Sequence, residues 1–221
     1  MKKNYTKLGE LAITPAPMAT KIEYVFPTVI LKGKFPKPKS LNQRLMDEII
    51  SFRTLDKMGK SWSKENYRHG YTSYGSLSDM HRRSPVFMEL EERLAPSVEQ
   101  FKKAQGWNAR STPLEMTACW MNVMGKNTYH TLHLHPHAVV SGVYYVDAPS
   151  DGVALKIEDP RMAHYMNAPP RQGSKNELYY KISPVPGTFV LFESWLRHEV
   201  PPNVASADRV SISFNYSVTT E

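Results

Sequence analysis

The chain has 221 residues, a formal net charge of +7 and one cysteine. That length suits one domain with a substantial core, and no run approaches the roughly 18 consecutive apolar residues of a membrane-spanning helix. A lone Cys119 excludes an internal disulfide and a cysteine-based zinc site, and it fits a reducing, cytoplasmic location.

The basic residues are dispersed. Lys32, Lys34, Lys37 and Lys39 follow one another through a proline-containing stretch, and Arg82-Arg83 and Lys102-Lys103 are separate pairs. Specific nucleic-acid binding is therefore not expected, whereas long-range attraction of dicarboxylates is. The first residues, Met1 to Thr6, are basic but lead into no apolar stretch, so no secretory signal is expected.

In chain order, residues 22–35 are rich in β-branched and aromatic types and predict a strand, with Pro27 at an edge or bulge. Ser40 then reads as the cap of a helix that buries Leu41, Leu45 and Ile49, with Met46 and Ile50 beside them. Ser84-Pro85 opens a second helix with Phe87, Leu90, Leu94, Val98 and Phe101 on its packing face. Between them, Tyr67 to Pro85 is rich in Gly, Ser and Tyr and reads as a long ordered loop of the kind that forms functional lids.

From Leu114 onward the apolar period changes to two. Short strands are predicted over 115–124, 139–146, 153–158, 178–182, 188–192 and 210–218, divided by Gly, Pro and Asn turns, with Gly187 in one of them. Residues 167–175 read as mobile. The fold class is mainly β with flanking helices: residues 1–113 supply a strand and supporting helices, and 114–221 a sandwich or barrel core that carries the chemistry. Trp120 and Trp195 are read as core residues, with a substrate platform as the alternative.

His130, His133, His135 and His137 are half of the eight histidines and fall within eight positions. On an extended segment, His133, His135 and His137 share a face and Leu134 points away. Imidazoles two apart on a strand converge on one ion, and imidazole suits iron, copper, zinc or nickel. His198, just past the strand at 188–192, supplies a third ligand. His130 and His137 are better placed as neighbours of the ligands, as substrate-facing residues or as exposed ones than as ligands themselves.

The order of motifs resembles the Fe(II)/2-oxoglutarate-dependent oxygenases, in particular the 2-oxoglutarate–Fe(II) oxygenase subfamily of bacterial and phage sequences. The likeness rests on Trp120-Met121-Asn122, His133-Leu134-His135-Pro136, Ser141 to Val146, Glu158-Asp159-Pro160-Arg161, Leu191 to His198 and Arg209 to Asn215. The loop at 71–74, which includes Tyr74, extends it more weakly toward the N-terminus. The resemblance implies a double-stranded β-helix (jelly-roll, cupin-like) core, a site for Fe(II), and 2-oxoglutarate and O2 as co-substrates. It matches His133 and His198 to the family's two histidines, while His135 stands where the family usually has a carboxylate. We read His135 as a ligand; a two-histidine site and a different metal are the alternatives.

The distal carboxylate of 2-oxoglutarate calls for a planar, permanently charged donor. Arg209, eleven positions after His198, is the candidate, and Ser211 on the same face adds a hydroxyl. Tyr145 is either a phenolic donor to that carboxylate or a packed core ring, and Asn122 is a weaker candidate. Arg161 is either a local turn partner or a residue of the pocket rim. The expected activity is a dioxygenase that hydroxylates a small molecule or protein side chain and releases succinate and CO2. A cupin-like three-histidine dioxygenase that uses no 2-oxoglutarate, and a non-catalytic metal- or ligand-binding β-sandwich, are the competing readings. The sequence leaves the oligomeric state open, a homodimer included.

Overall fold

The computed structural model describes residues 20–108, 112–161, 166 and 178–219. The stretch 167–175 and the basic residues at the N-terminus lie outside the described residues. Among the described residues, ten strands and four helices follow in the order β1 (Ile30–Lys34), α1 (Lys39–Leu55), α2 (Lys57–Asn66), β2 (Gly70–Thr72), α3 (Met80–Arg83), α4 (Pro85–Ala104), β3 (Leu114–Met124), β4 (His130–His133), β5 (Val140–Asp147), β6 (Leu155–Glu158), β7 (Tyr179–Ile182), β8 (Thr188–Glu193), β9 (His198–Val200) and β10 (Arg209–Val218).

The strands form a six-stranded sheet, β1-β8-β5-β10-β3-β2, and a four-stranded sheet, β4-β9-β6-β7. All named pairs are antiparallel. Two facing antiparallel sheets with flanking helices are the expected double-stranded β-helix. Among the described residues, no helix is long and apolar enough to cross a membrane.

Alternation along the strands of the larger sheet creates two cores. Met121 and Val123 of β3, Tyr144 and Val146 of β5, Phe189 and Leu191 of β8, and Ile212 and Phe214 of β10 face the helices, where they meet Leu41, Leu45, Ile49, Leu90, Leu94 and Phe101. The intervening residues Met124, Val143, Tyr145, Val190 and Phe192 turn the other way and join Leu155, Ile157 and Val200 of the smaller sheet. The apolar stripes read from sequence on α1 and α4 are thus buried, except that Ile50 is exposed.

Several boundaries differ from expectation for local reasons. Only residues 30–34 of the predicted N-terminal strand pair with the sheet. At Phe26 φ is +57°, and Pro27 brings no N–H, so the ladder cannot extend back through them; Ile22, Tyr24, Val25 and Phe26 are exposed. Pro38, not Ser40, precedes α1, because its φ of −72° is already helical. Ser84 stands before α4 as expected, yet its hydroxyl makes no capping bond. The segment 67–85 is not simply a loop, since it holds β2 and α3.

The short helix α2, missed in the sequence, is held by one carboxylate. Asp56 accepts hydrogen bonds from the Gly59 N–H (2.8 Å), the Tyr71 hydroxyl (2.8 Å) and the Ser76 hydroxyl (2.5 Å). It therefore caps α2 and ties that helix to β2 and the turn after it. Asp56→Ala removes the cap and leaves a buried phenol unpaired, which should cost about 2–4 kcal/mol. Urea unfolding should show the loss as a lower midpoint with an unchanged slope.

Candidate active site

Strand β10 lies between β5 and β3, and its two faces differ in chemistry. Val210, Ile212, Phe214 and Tyr216 enter the helical core, whereas Arg209, Ser211, Ser213 and Asn215 line a cavity of about 440 Å³. Across β3, Ser211 pairs with Asn122 and Ser213 with Trp120, both of which also line it. The opposite wall comes from the smaller sheet, through His130, His133, His198 and Val200, with His135 and Pro136 just beyond β4. Among the described residues that line the cavity, none is acidic.

One ring nitrogen from each of His133, His135 and His198 falls within 4.8 Å of the others. His133 and His198 are cross-strand partners in the β4–β9 ladder. Neither strand was predicted; both are too short to show a period. The remaining nitrogen of each ring is already engaged. His133 Nδ1 bonds the Thr131 carbonyl (2.6 Å), His198 Nδ1 the Leu196 carbonyl (2.9 Å) and His135 Nδ1 the Asn215 side-chain oxygen (2.8 Å). A carbonyl only accepts, so Nδ1 of His133 and His198 carries the proton and Nε2 presents its lone pair. His135 Nε2 is buried with no partner.

Such a set fits a transition-metal ion: neutral imidazoles, convergent lone pairs, and Nδ1–H groups oriented by acceptors behind them. Burial favours the uncharged form. It is the main cause that brings the His198 imidazole down to about 3 and His135 to about 4, with repulsion from His133 added. His130 is lowered as well, by burial first and by Arg209 second.

At the other end sits Arg209, only 2% exposed. One guanidinium nitrogen reaches Ser211 Oγ (3.3 Å) and Met124 Sδ (3.2 Å), the guanidinium lies 5.0 Å from the centre of the Tyr145 ring, and Nε has no partner. Among the described residues no carboxylate pairs with it. Tyr145 is a core ring beneath the guanidinium, and its hydroxyl is also buried without a partner. The Tyr67 hydroxyl meets His130 Nε2 at 2.6 Å, and both side chains line the cavity. Asn122 is held from both sides, accepting from Thr72 Oγ1 (2.8 Å) and donating to Ser213 Oγ (3.0 Å).

Tyr74, weighed from the sequence as a possible ligand-neighbouring or substrate residue, lines the cavity together with Trp62 and Leu134, all exposed. Other candidates sort between the readings the sequence left open. His137 does not join the other histidines: it is exposed, with φ of +68° in the turn that follows His135. Arg161 lines no part of the cavity and pairs with Asp159, as its local reading allowed. Trp120 is buried but lines the cavity, its ring 5.7 Å from that of His135, whereas Trp195 is half exposed.

Comparison with known proteins agrees with this geometry. Residues 118–215 match the profile of a family described as "Putative 2OG-Fe(II) oxygenase". That match covers a little under half of the chain and makes it similar to the Fe(II)/2-oxoglutarate-dependent oxygenases. Solved structures that share its fold include a Pseudomonas putida prolyl-4-hydroxylase (16% identity, TM-score 0.56, covering 87% of this chain and 94% of that one). A Trichoplax adhaerens prolyl hydroxylase bound to a hypoxia-inducible-factor peptide is similar at 15% identity and TM-score 0.57, covering 86% and 83%. HygX from Streptomyces hygroscopicus, with nickel and 2-oxoglutarate bound, follows at 14% and 0.55, covering 87% and 84%. No curated protein matches the chain.

Where the likeness leads one to expect a carboxylate beside His133 and His198, the structure sets the imidazole of His135. Trp62, Tyr67, Thr72, Ser213 and Asn215 were missed as site residues. For Ser213 and Asn215 the signal was present, in the polar alternation that begins at Arg209.

The depressed histidines predict a pH dependence of stability. In the unfolded chain they titrate near 6.5, but in the fold His198 and His135 stay neutral to about 3 and 4. Between those values the unfolded state binds more protons, so stability is full above pH 6.5 and falls as the pH drops toward 4. Thermal unfolding of the metal-free protein should follow that course, with a shallower decline in His198→Gln.

Proposed function

We propose that this oxygenase holds iron(II) on His133, His135 and His198, and binds 2-oxoglutarate between that ion and Arg209, where Ser211 helps to seat the distal carboxylate. The observation that carries the reading is the uncompensated burial of Arg209. A guanidinium cannot shed its proton, so keeping it desolvated without a counter-ion costs several kcal/mol in the ligand-free protein. A carboxylate docked there repays that cost with charge-assisted hydrogen bonds.

With iron(II), 2-oxoglutarate and O2 bound, such a site supplies oxidative decarboxylation to succinate and CO2, coupled to hydroxylation of a C–H bond. The chain's part is placement. His133, His135 and His198 leave coordination positions open on the cavity side. Tyr145 supports the guanidinium from below, by a cation–π contact and by excluding water. The Tyr67–His130 pair, packed beside both Arg209 and His133, closes the deep end; Asn122, fixed between Thr72 and Ser213, holds the wall rigid.

The primary substrate is a protein side chain or a small molecule that enters past Trp62, Tyr74 and Leu134 and lies against Trp120. Structures of the same fold carry either kind, a peptide in the Trichoplax enzyme and hygromycin B in HygX. A three-histidine dioxygenase without 2-oxoglutarate has no use for Arg209, whereas a non-catalytic ligand-binding β-sandwich could use it and is separated by consuming no O2 with any co-substrate present.

The test separates binding from folding. Anaerobic titration of the iron(II)-loaded protein with 2-oxoglutarate should develop a metal-to-ligand charge-transfer band, and turnover should release succinate. Arg209→Met should weaken 2-oxoglutarate binding by about 2–5 kcal/mol, at least roughly thirtyfold. Because the variant removes an unpaired buried charge, its metal-free thermal midpoint should equal or exceed that of the parent. Unchanged 2-oxoglutarate affinity would overturn the assignment.

A further inference from the structure

We infer that Asn215 is a positioning residue for the metal site, and that its side-chain oxygen makes His135 a ligand by fixing which ring nitrogen carries the proton. The inference rests on the three-histidine reading above.

His133 and His198 take their tautomers from backbone carbonyls two residues earlier in the chain, Thr131 and Leu196. Those acceptors are main-chain groups, which no side-chain substitution removes. His135 lies beyond the end of β4 and lacks such a carbonyl partner; its Nδ1 meets a side chain from β10 instead, Asn215 Oδ1 at 2.8 Å. An amide can present either oxygen or nitrogen, so its orientation decides the chemistry. Were the amide nitrogen to face the ring, Nδ1 would be the acceptor and Nε2 would carry a proton aimed at the other two lone pairs, which excludes a metal.

The surroundings hold the oxygen in place. Ser141 Oγ bonds the same Asn215 oxygen at 2.8 Å, and Ser194 Oγ lies 2.8 Å from Ser141 Oγ. Ser141 and Ser194 are both fully buried. With Ser194 donating to Ser141 and Ser141 donating to Asn215, the oxygen accepts two hydrogen bonds and every hydroxyl proton in the chain is used. The backbone adds a second restraint, since the Ser194 carbonyl accepts from the His135 N–H at 3.0 Å. Asn215 thus does for the third imidazole what the carbonyls do for the other two. It adds no charge, so the ligand set stays neutral.

Cobalt(II), added to the metal-free protein, reports both affinity and coordination through its ligand-field spectrum. Asn215→Ala removes the acceptor and should weaken cobalt binding 10–100-fold, as loss of a ligand's hydrogen-bond partner generally does, with a spectrum shifted toward that of His135→Ala. Asn215→Asp keeps an oxygen acceptor at the same place and should bind within a few-fold of the parent with the parental spectrum. A merely structural role for Asn215 would leave the spectrum of the metal-bound protein unchanged. If His135→Ala binds cobalt like the parent, the ligand reading fails and the inference with it. If His135→Ala is weakened but Asn215→Ala is not, the inference alone is overturned. It is overturned equally if the Asp variant is as weak as the Ala variant.

Discussion

The site depends on the register of one strand. β10 runs through the middle of the larger sheet with apolar side chains on the helix side and Arg209, Ser211, Ser213 and Asn215 on the other. A slip of one residue would exchange the two sets, driving a guanidinium into the helical core and aromatic rings into the cavity. Ladders on both flanks, to β3 and β5, and the large rings of Phe214 and Tyr216 hold the strand against that slip. The pleat of the backbone is therefore what separates the packing function of this strand from its chemistry, and one end of the cavity from the other.

Desolvation acts with opposite consequences at those two ends. Imidazole responds to burial by staying neutral, which is the form a metal needs, so the surroundings of His135 and His198 suit the proposed ligand role with no acidic residue among the described ones that line the cavity. Guanidinium has no such escape and remains charged. The same dry interior thus yields a neutral donor cluster at one end and an unpaired cation at the other, a polarity that a molecule with a chelating end and an anionic tail can match.

Much of this was legible in the sequence. The strands of the core were readable because β3, β5, β8 and β10 are long enough to show their period, and α1 and α4 because their apolar stripes run over several turns. The histidine cluster stood out by density alone, and Arg209 by its distance from His198. What stayed hidden was short or dependent on tertiary partners. β4 and β9 together hold seven residues and carry two of the three convergent histidines, yet no period can appear in segments of four and three. Helix α2 has few apolar residues and relies on Asp56, whose other partners, Tyr71 and Ser76, lie beyond the helix. Asn215 looked like any polar residue of an alternating strand until the fold set it beside His135, eighty positions earlier in the chain.

That none of the described residues lining the cavity is acidic has a thermodynamic consequence. A divalent ion that enters a cluster of three imidazoles meets no opposite charge, and it adds to the field of Arg209 already present. A dianion that later spans both ends relieves that field, and the ion in turn raises the anion's affinity. Binding of the two is therefore linked by an electrostatic coupling free energy that must be the same whichever arrives first. A carboxylate among the ligands would neutralise part of the ion's charge in advance and weaken the coupling. Under the proposed ligand set, the third histidine would make retention of the metal more dependent on the concentration of the co-substrate.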